Sequence, residues 1–410
     1  MTDRPAAPAP KVEFIALVAL TTSLVAMSID TMLPALGNMA RELGAASDND
    51  RQLVLSMFFA GLSVGQLVSG PASDSTGRRA TLFVGIGAFV LGNLICALTS
   101  SFGWLLFGRA LSGFGAAGPR IVSIALVRDV YAGRGMAKVM SFVSTVFILV
   151  PVLAPSIGQG VLAVASWRAI FYALVAMAAL NVLWFALRQP ETLPPERRRP
   201  FALRTIGSGV VETFKSRITL GYMLATGATF GAFINYLSTA QQIFQEQYGL
   251  GQLFPVFFGI LASSIGIASF VNAKLVMRFG MRRLSRVALA SSATLSLAAL
   301  GAAAAWHGHP PLLALMSYLF VCFFFNGILF GNFNARAMEP MGHIAGIAAA
   351  VTGSVSNLVA LAIGTPFGLL YDGSILPLVG CFTTCALLAL VLTEWAERTA
   401  NKEPALSSPA

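Results

Sequence analysis

The sequence predicts an all-α polytopic membrane protein with twelve transmembrane helices in two bundles of six. Its 410 residues are 56% hydrophobic and only 11% charged, with a mean hydropathy of +0.76. A soluble globular protein carries about 25% charged residues. Twelve apolar runs follow one another, most of them about 20 residues long, which is enough to cross a bilayer as a helix. One long polar interruption divides them six and six.

Each apolar run is expected to be a helix, because backbone exposed to lipid must satisfy its own hydrogen bonds. The first run is longer than the apolar part of a secretory signal peptide and carries a carboxylate, so we interpret it as a retained span. The predicted spans are 13–36, 51–71, 79–99, 102–127, 136–162, 167–187, 218–244, 252–276, 283–305, 311–335, 343–371 and 375–395.

The polar interruption sets the domain boundaries. Residues 188–217 form a basic, Pro-rich linker between a bundle over 13–187 and a bundle over 218–395. The linker is either a solvated connector or a site for anionic lipid. Residues 1–12 are predicted to be a disordered cytoplasmic segment because they are rich in Pro and Ala, and residues 396–410 a cytoplasmic tail.

The basic residues indicate the orientation. When the twelve spans alternate in direction, nearly all Lys and Arg fall on one side, and only Arg41, Arg51 and Arg168 fall on the other. The positive-inside rule then places both termini in the cytoplasm, and we expect a multi-pass protein of the inner, cytoplasmic membrane. The net charge of +10 is therefore a topology signal, and no nucleic-acid partner is expected.

The polar stretch between spans 2 and 3 carries the most specific motif, with the spacing G-x3-D-x2-G-R-R. It is short enough to be a tight connection between antiparallel helices. Its glycines permit unusual backbone angles or close helix approach, and its acid can pair with an arginine or a helix N-terminus. An ordinary positively charged turn is the alternative. We interpret it as a gating loop formed by Gly70, Asp74, Gly77, Arg78 and Arg79.

Three charged residues lie deep within spans: Asp30 in span 1, and Arg109 and Arg120 in span 4. A charge near the bilayer centre costs about 2.5–3.5 kcal/mol, so each should face a cavity or a partner. Asp30 can change protonation state, whereas Arg109 stays positive. We therefore assign proton coupling to these two residues. If Arg109 matches the charge of Asp30, the cavity has no spare negative charge and favours neutral or zwitterionic compounds. Arg120 either lines the cavity or extends to the cytoplasmic interface.

Spans 7 and 10 carry aromatic and amide residues at helical spacing. Such a surface suits a lipophilic ligand that also forms hydrogen bonds, although a packing or lipid-facing phenylalanine stripe is the alternative. The predicted cavity residues are Phe233, Asn235, Tyr236, Phe323, Asn326, Phe330 and Asn334, with Arg120 from span 4.

Span 5 carries Pro155 and Gly158, which would bend the helix and permit a close helix contact. We interpret these two residues as a hinge. The four cysteines all lie within apolar runs, and they indicate neither a disulfide framework nor a metal site. No catalytic constellation and no nucleotide-binding G-x4-G-K-[ST] loop is present, so we expect neither an enzyme nor direct ATP drive.

These motifs resemble, in the right order, those of the major facilitator superfamily (MFS): the loop between helices 2 and 3, the span 4 arginine and the span 5 Gly-Pro motif of antiporters. The span 5 match is incomplete because Ala154 precedes Pro155. Further stretches are similar to the Bcr/CflA drug-resistance branch of the drug:proton antiporters. These are residues 28–36, 65–71, 127–131, 167–171 and 338–346.

The resemblance implies an MFS fold and export of drugs from the cytoplasm in exchange for protons. It also implies an alternating-access cycle, no cofactor other than the proton gradient, and a monomer in the lipid bilayer. A proton-coupled importer or a uniporter of a small metabolite on the same fold is the alternative. The sequence names no particular substrate.

Overall fold

The computed structural model describes residues 12–198 and 203–400. Most of the predicted N-terminal segment, linker residues 199–202 and the end of the predicted tail after residue 400 lie outside the described residues.

Twelve long helices follow one another within the described ranges, and they confirm the predicted helical fold. They are α1 (Val12–Asp30), α2 (Leu53–Thr76), α3 (Arg78–Leu98), α4 (Phe102–Val130), α5 (Gly133–Val164), α6 (Arg168–Arg188), α7 (Arg217–Gln241), α8 (Phe254–Phe279), α9 (Met281–Ala305), α10 (Leu312–Met338), α11 (Ala345–Leu369) and α12 (Leu376–Ala400).

Hydropathy identifies most of these helices as membrane spans. Nine stretches of the described chain are long and apolar enough to cross a membrane, and one of them, Leu312–Leu369, contains both α10 and α11. Helix α5 contributes a shorter apolar stretch, Leu149–Val164. Helix α7 is not among them, because its buried face carries threonines, an asparagine and a glutamine. The chain is a multi-pass membrane protein.

The helices form two compact units, Met1–Ala202 and Leu203–Ala410, called unit 1 and unit 2 below. The division falls inside the predicted linker. The linker itself holds a structure that we did not predict, a strongly amphipathic helix over Leu203–Lys215. Its apolar residues recur every three to four positions, which favours a helix with one buried face. The helix packs against α11, where Gly209 contacts Ile347, whereas the apolar side chains of Val211 (52%) and Phe214 (42%) remain exposed.

Helix α12 is longer than the predicted span 375–395 and takes in residues that we had predicted to form a tail. Its last turns consist largely of good helix formers. Their acidic residue, Glu397, is paired with Arg282 and Arg336 of the same unit. Because its charge is neutralised, Glu397 can be buried in the bundle.

Glycines allow α4 to pack closely against its neighbours in unit 1. A Cβ at Gly113 would lie 1.9 Å from the carbonyl oxygen of Phe58 in α2, and a Cβ at Gly115 would lie 2.3 Å from the backbone nitrogen of Phe89 in α3. Neither distance is possible for a real side chain. Small residues therefore bring α4 close to α2 and α3, and they place Arg109 in the interior of the unit.

Candidate functional site

Asp30 lies at a break in the first span. Helix α1 ends at Asp30, a 3-10 turn covers Leu33–Ala35, and a short helix continues over Leu36–Glu42. Pro34 explains the break, because proline lacks a backbone N–H and clashes with the preceding turn of a continuous helix. The predicted span 13–36 is therefore two helices joined at this point.

The Asp30 carboxyl is buried and has no ionic partner. The residue is 5% exposed, and no hydrogen bond or ion pair joins its side chain to the described part of the chain. Burying a charged carboxylate without a partner is unfavourable, so an acid in this position is easier to accommodate when it carries a proton.

The predicted hinge of α5 meets this break. Helix α5 passes through Pro155 without interruption. One turn later, a Cβ at Gly158 would lie 1.8 Å from the carbonyl oxygen of Thr31. The glycine therefore fits against the backbone immediately after Asp30. The sequence predicted both features but gave no sign that they touch.

Arg109 is completely buried, and its partners lie on α1 and α2. Its Nη1 donates to the Ser28 hydroxyl (3.0 Å) and its Nη2 to the Ser28 carbonyl (3.2 Å). Its Nε donates to the Val54 carbonyl (3.3 Å), and the guanidinium lies 4.4 Å from the centre of the Phe58 ring.

The expected match between Arg109 and Asp30 is therefore not found. Successive helical residues are rotated by about 100°, so side chains two positions apart, such as Ser28 and Asp30, point in nearly opposite directions. Arg109 holds the face of α1 that carries Ser28 and leaves the carboxyl of Asp30 unpaired.

The predicted gating loop forms an ion-pair cluster around Arg78, which is only 3% exposed. Its Nη1 donates to Asp74 (2.7 Å) and to the Ser73 hydroxyl (2.9 Å), and its Nε donates to Asp129 of α4 (2.9 Å). The loop thus links the end of α2, the start of α3 and the end of α4.

The two glycines of the motif have different positions. Gly77 has φ +107°, a conformation that strongly favours glycine, and it forms the sharp turn between α2 and α3. Gly70 lies inside α2, directly before Pro71. The arginine next to the turn, Arg79, donates to the carbonyls of Gln189 and Ala186.

Glu191, which the sequence analysis missed, completes this cluster. Its carboxylate accepts hydrogen bonds from the backbone N–H groups of Arg78 (3.0 Å) and Arg79 (3.1 Å) and so caps the N-terminus of α3. It also accepts from the N–H groups of Thr192 and Leu193. Partial burial opposes its ionisation, but these four donors prevail and lower the pKa of Glu191.

In unit 2, four of the predicted cavity residues come together. Phe233 lies 5.6 Å from Phe323, 6.4 Å from Tyr236 and 6.4 Å from Phe330, measured between ring centres. Phe230 stacks on Phe233 at 5.8 Å. Phe230, Phe233 and Phe330 are half-buried, whereas Tyr236 and Phe323 are buried beneath them. We call these five residues the aromatic patch.

The two buried amides that we predicted for the cavity, Asn235 and Asn326, have different environments. Asn235 is fully buried and donates to the Gly364 carbonyl (3.2 Å), so it ties α7 to α11. Asn326 lines a cavity of about 10 Å³ inside unit 2, beside Thr229 and Ser292, which is room for about one water.

The two remaining predicted cavity residues, Asn334 and Arg120, are both exposed. A buried asparagine that we did not predict, Asn332, exchanges two hydrogen bonds with Asn272 of α8 (3.0 and 3.3 Å).

Comparison with known proteins identifies the family. Residues 18–365 match the sequence profile of the Major Facilitator Superfamily. The chain belongs to this superfamily. It is a transporter rather than an enzyme, as the sequence analysis predicted.

Two curated relatives narrow the resemblance. The chain is 30% identical to the bicyclomycin resistance protein homolog of Haemophilus influenzae, over 92% of this chain and 94% of that protein. It is 28% identical to the multidrug resistance protein MdtL of Klebsiella pneumoniae, over 89% of this chain and 90% of that protein. The predicted resemblance to the Bcr/CflA branch is thereby confirmed.

Solved structures confirm the MFS fold. The human organic anion transporter MFSD10 superimposes with a TM-score of 0.72 over 96% of this chain and 100% of that one, at 18% sequence identity. At this identity the likeness shows the fold alone.

The second half of this MFS chain contains an ion-pair cluster that the sequence barely indicates. Glu397 is 4% exposed and accepts hydrogen bonds from Arg336 (2.5 Å) and from the Tyr222 hydroxyl (2.8 Å). Arg282 lies 3.4 Å from the same carboxylate. It belongs to residues 274–283, an incomplete copy of the loop motif that ends in Gly280-Met281-Arg282-Arg283. Met277, which replaces the loop aspartate, is 87% exposed. The acid of this cluster, Glu397, comes from α12, so a comparison of residues 274–283 with the loop motif cannot find it.

Proposed function

We propose that this MFS member is a proton-coupled exporter of lipophilic, drug-like compounds in the bacterial inner membrane, with both termini in the cytoplasm. Its likeness to a bicyclomycin resistance protein homolog supports export of drugs. The orientation follows from the distribution of basic residues. Transport proceeds by alternating access, driven by the proton gradient and without a further cofactor.

The observation that carries the proton coupling is the unpaired, buried carboxyl of Asp30 at the break in the first span. A coupling group must bind a proton in one state of the transporter and release it in another. A carboxyl without a fixed partner changes charge without breaking an ion pair. It also lies at a point where the helix is already interrupted and where α5 touches the backbone. A small shift of either helix thus changes the surroundings of the carboxyl.

The aromatic patch of unit 2 is the proposed contact for the substrate. Its half-buried rings offer apolar surface and π faces, and the patch itself contains no charged residue. This composition suits flat or bulky lipophilic compounds.

We propose a wider range of substrates than the sequence analysis expected. Because Arg109 is engaged by Ser28 and Val54, it does not neutralise Asp30. A cationic drug can therefore be attracted by the ionised carboxyl and compete with the proton. We propose that neutral and singly cationic compounds are both exported.

Two experiments test this function. Pump-deficient cells expressing the protein should tolerate higher concentrations of several lipophilic drugs than cells with an empty vector. Everted membrane vesicles should accumulate a fluorescent drug when respiration acidifies their interior, and a protonophore should abolish the accumulation. Accumulation in the opposite direction would indicate an importer, and flux that never exceeds the drug gradient would indicate a uniporter.

A further inference from the structure

Three connections at one end of unit 2 are joined by a single glutamine. They are residues 242–253, 306–311 and 370–375, which follow α7, α9 and α11. Gln247 ends a π-helical turn over Gln242–Gln247. Its Nε2 donates to the Gly308 carbonyl (3.2 Å) and lies 3.2 Å from His309 Nδ1, while its Oε1 accepts from the Tyr371 hydroxyl (3.2 Å).

Further contacts make these connections one packed group. The Tyr248 hydroxyl donates to the Pro310 carbonyl (2.7 Å), and the backbone N–H of Ile375 donates to the Gly308 carbonyl (3.1 Å). Gly308 has φ +82°, and a Cβ there would lie 2.3 Å from the Cβ of Ser374. The backbone of the loop that carries His309 is therefore packed tightly between the other two, while the His309 side chain is exposed.

The hydrogen bonds around Gln247 fix the protonation state of His309. A backbone carbonyl only accepts hydrogen bonds, so the amide nitrogen of Gln247, and not its oxygen, must face Gly308. The second amide hydrogen then faces His309 Nδ1, which must present a lone pair. His309 is thus neutral in this arrangement, with its proton on Nε2. A second proton on Nδ1 would place two donors face to face.

The charges around His309 are few. The three connections contain the acids Glu246 and Asp372, the two histidines His307 and His309, and no lysine or arginine. The pKa of Asp372 is lowered, first by hydrogen bonding with Ser374 and to a smaller extent by His309 when it is protonated. A protonated imidazole therefore loses its contact with Gln247 and gains attraction to Asp372.

We propose that His309 is a second proton-binding site, separate from Asp30, and that its protonation releases Gln247 and loosens the π-helical turn at the end of α7. Histidine changes its charge between pH 5 and 8, so a pH difference across the membrane within this range can change its protonation. π-helical turns frequently mark functional positions. With the orientation proposed above, on which this step rests, these connections face the outside. An acidic exterior would then favour opening of this end of unit 2.

Hydrogen–deuterium exchange on the purified protein tests the proposal. Peptides covering residues 242–253 and 306–311 should exchange about two- to tenfold faster at pH 5.5 than at pH 7.5, after correction for intrinsic exchange rates, which corresponds to the loss of one hydrogen bond. His309→Gln should abolish this difference. His307→Gln is the matched control, because both imidazoles are exposed but only that of His309 contacts Gln247, and it should keep the difference.

The proposal would be overturned by an unchanged pH response in His309→Gln, or by its absence in the native protein. Gln247→Met provides an independent check, because it removes the amide and should exchange fast at both pH values. The measurement needs neither substrate nor a membrane, so Asp30→Asn should retain the response. A failure of the exporter proposal would appear in the vesicle assay and leave this exchange result intact.

Discussion

Asp30 and Arg109 lie in the interior of unit 1, yet they have different environments. Arg109 is satisfied by Ser28 and Val54 and contacts the Phe58 ring. Hydrogen bonds of this kind with a charged donor contribute about 1.5–3 kcal/mol each and compensate for burial. The Asp30 carboxyl has no such hydrogen bonds, so adding a proton to its ionised form breaks no existing interaction. The two residues are therefore held differently: Arg109 ties α4 to α1 and α2, and Asp30 is the residue that we propose to exchange the proton.

Replacing Asp30 by asparagine should uncouple transport from protons. Asparagine has nearly the same size but does not titrate. Drug binding should persist because the aromatic patch lies in the other unit, whereas accumulation against a gradient should fall to background. Everted vesicles measure the accumulation, and residual flux should no longer depend on pH.

The control for this substitution is Glu13→Gln, the same chemical change in the same helix. Glu13 is partly exposed and paired with Arg188, and an exposed pair contributes little. This variant should transport normally. Uphill, pH-dependent transport by Asp30→Asn would place the coupling site elsewhere, with Asp129, Glu339 and His343 as the next residues to test.

At the scale of elements, close backbone contacts position the site. The break at Asp30 comes from Pro34, and Gly158 of α5 fits against the exposed backbone of that break. The turn between α2 and α3 shows the same kind of close contact, because the missing side chain of Gly77 makes room for the Glu191 carboxylate. In both places a glycine lets another element reach a helix end.

Gly158→Ala should reduce transport at least tenfold while Gly160→Ala leaves it unchanged. The added methyl at position 158 meets the Thr31 carbonyl, so α1 and α5 must separate beside Asp30. A Cβ at Gly160 has no atom within 4 Å, and both changes have the same effect on helix propensity. Comparing the two initial rates at matched expression isolates the contact. Equal rates would show that the α1–α5 contact is not needed.

Glu191→Gln should lower the free energy of unfolding by about 1 kcal/mol at neutral pH, the typical effect of losing a helix N-cap. The folded-state pKa of Glu191 is lowered. Its stabilisation is therefore present above the unfolded pKa of about 4.3 and is lost as the pH falls through the folded value.

Unfolding curves in detergent at several pH values measure this effect. The native protein and Glu191→Gln should converge in acid, and Glu196→Gln, an exposed change in the same linker, should match the native protein throughout. A difference between native protein and Glu191→Gln that did not narrow in acid would argue against capping by the ionised carboxylate.

At the scale of the whole molecule, each unit closes one end of its bundle with an ion-pair cluster. In unit 1 the centre is Arg78, and in unit 2 it is Glu397. Both units thus contain such a cluster, but its central residue is a cation in unit 1 and an anion in unit 2. We infer that each cluster holds the helices of its own unit together while the transporter changes state.

Arg78→Ala should impair the transport cycle of a protein that still inserts and folds. It leaves Asp74 and Asp129 without their shared cation, so the ends of α2, α3 and α4 lose their common contact. The transport rate should fall at least tenfold, whereas binding of a fluorescent drug to the purified protein should persist.

Arg283→Ala is the control for Arg78→Ala. It removes an exposed arginine from the equivalent Gly-x-Arg-Arg stretch of the second half and should transport normally. An Arg78→Ala variant that transported at the native rate would exclude a gating role for the loop.

The sequence by itself determined the class of the protein, the twelve spans and the family. These depend on apolar length, the distribution of lysine and arginine, and local motifs, all of which are properties of contiguous residues. It also identified Asp30, Arg109, the loop motif and the main residues of the aromatic patch as unusual positions. Helical spacing was sufficient there, because residues three or four apart share a face.

Only the tertiary structure decided which of these residues meet. The partners of Arg109, the contact of Gly158 with Thr31, the cap by Glu191 and the burial of Glu397 all join residues far apart in the chain. Each depends on a helix axis shifted by an ångström or two, or on a rotation of one residue about that axis. Neither quantity is encoded in spacing along the sequence, because it is set by the packing of every neighbouring side chain at once.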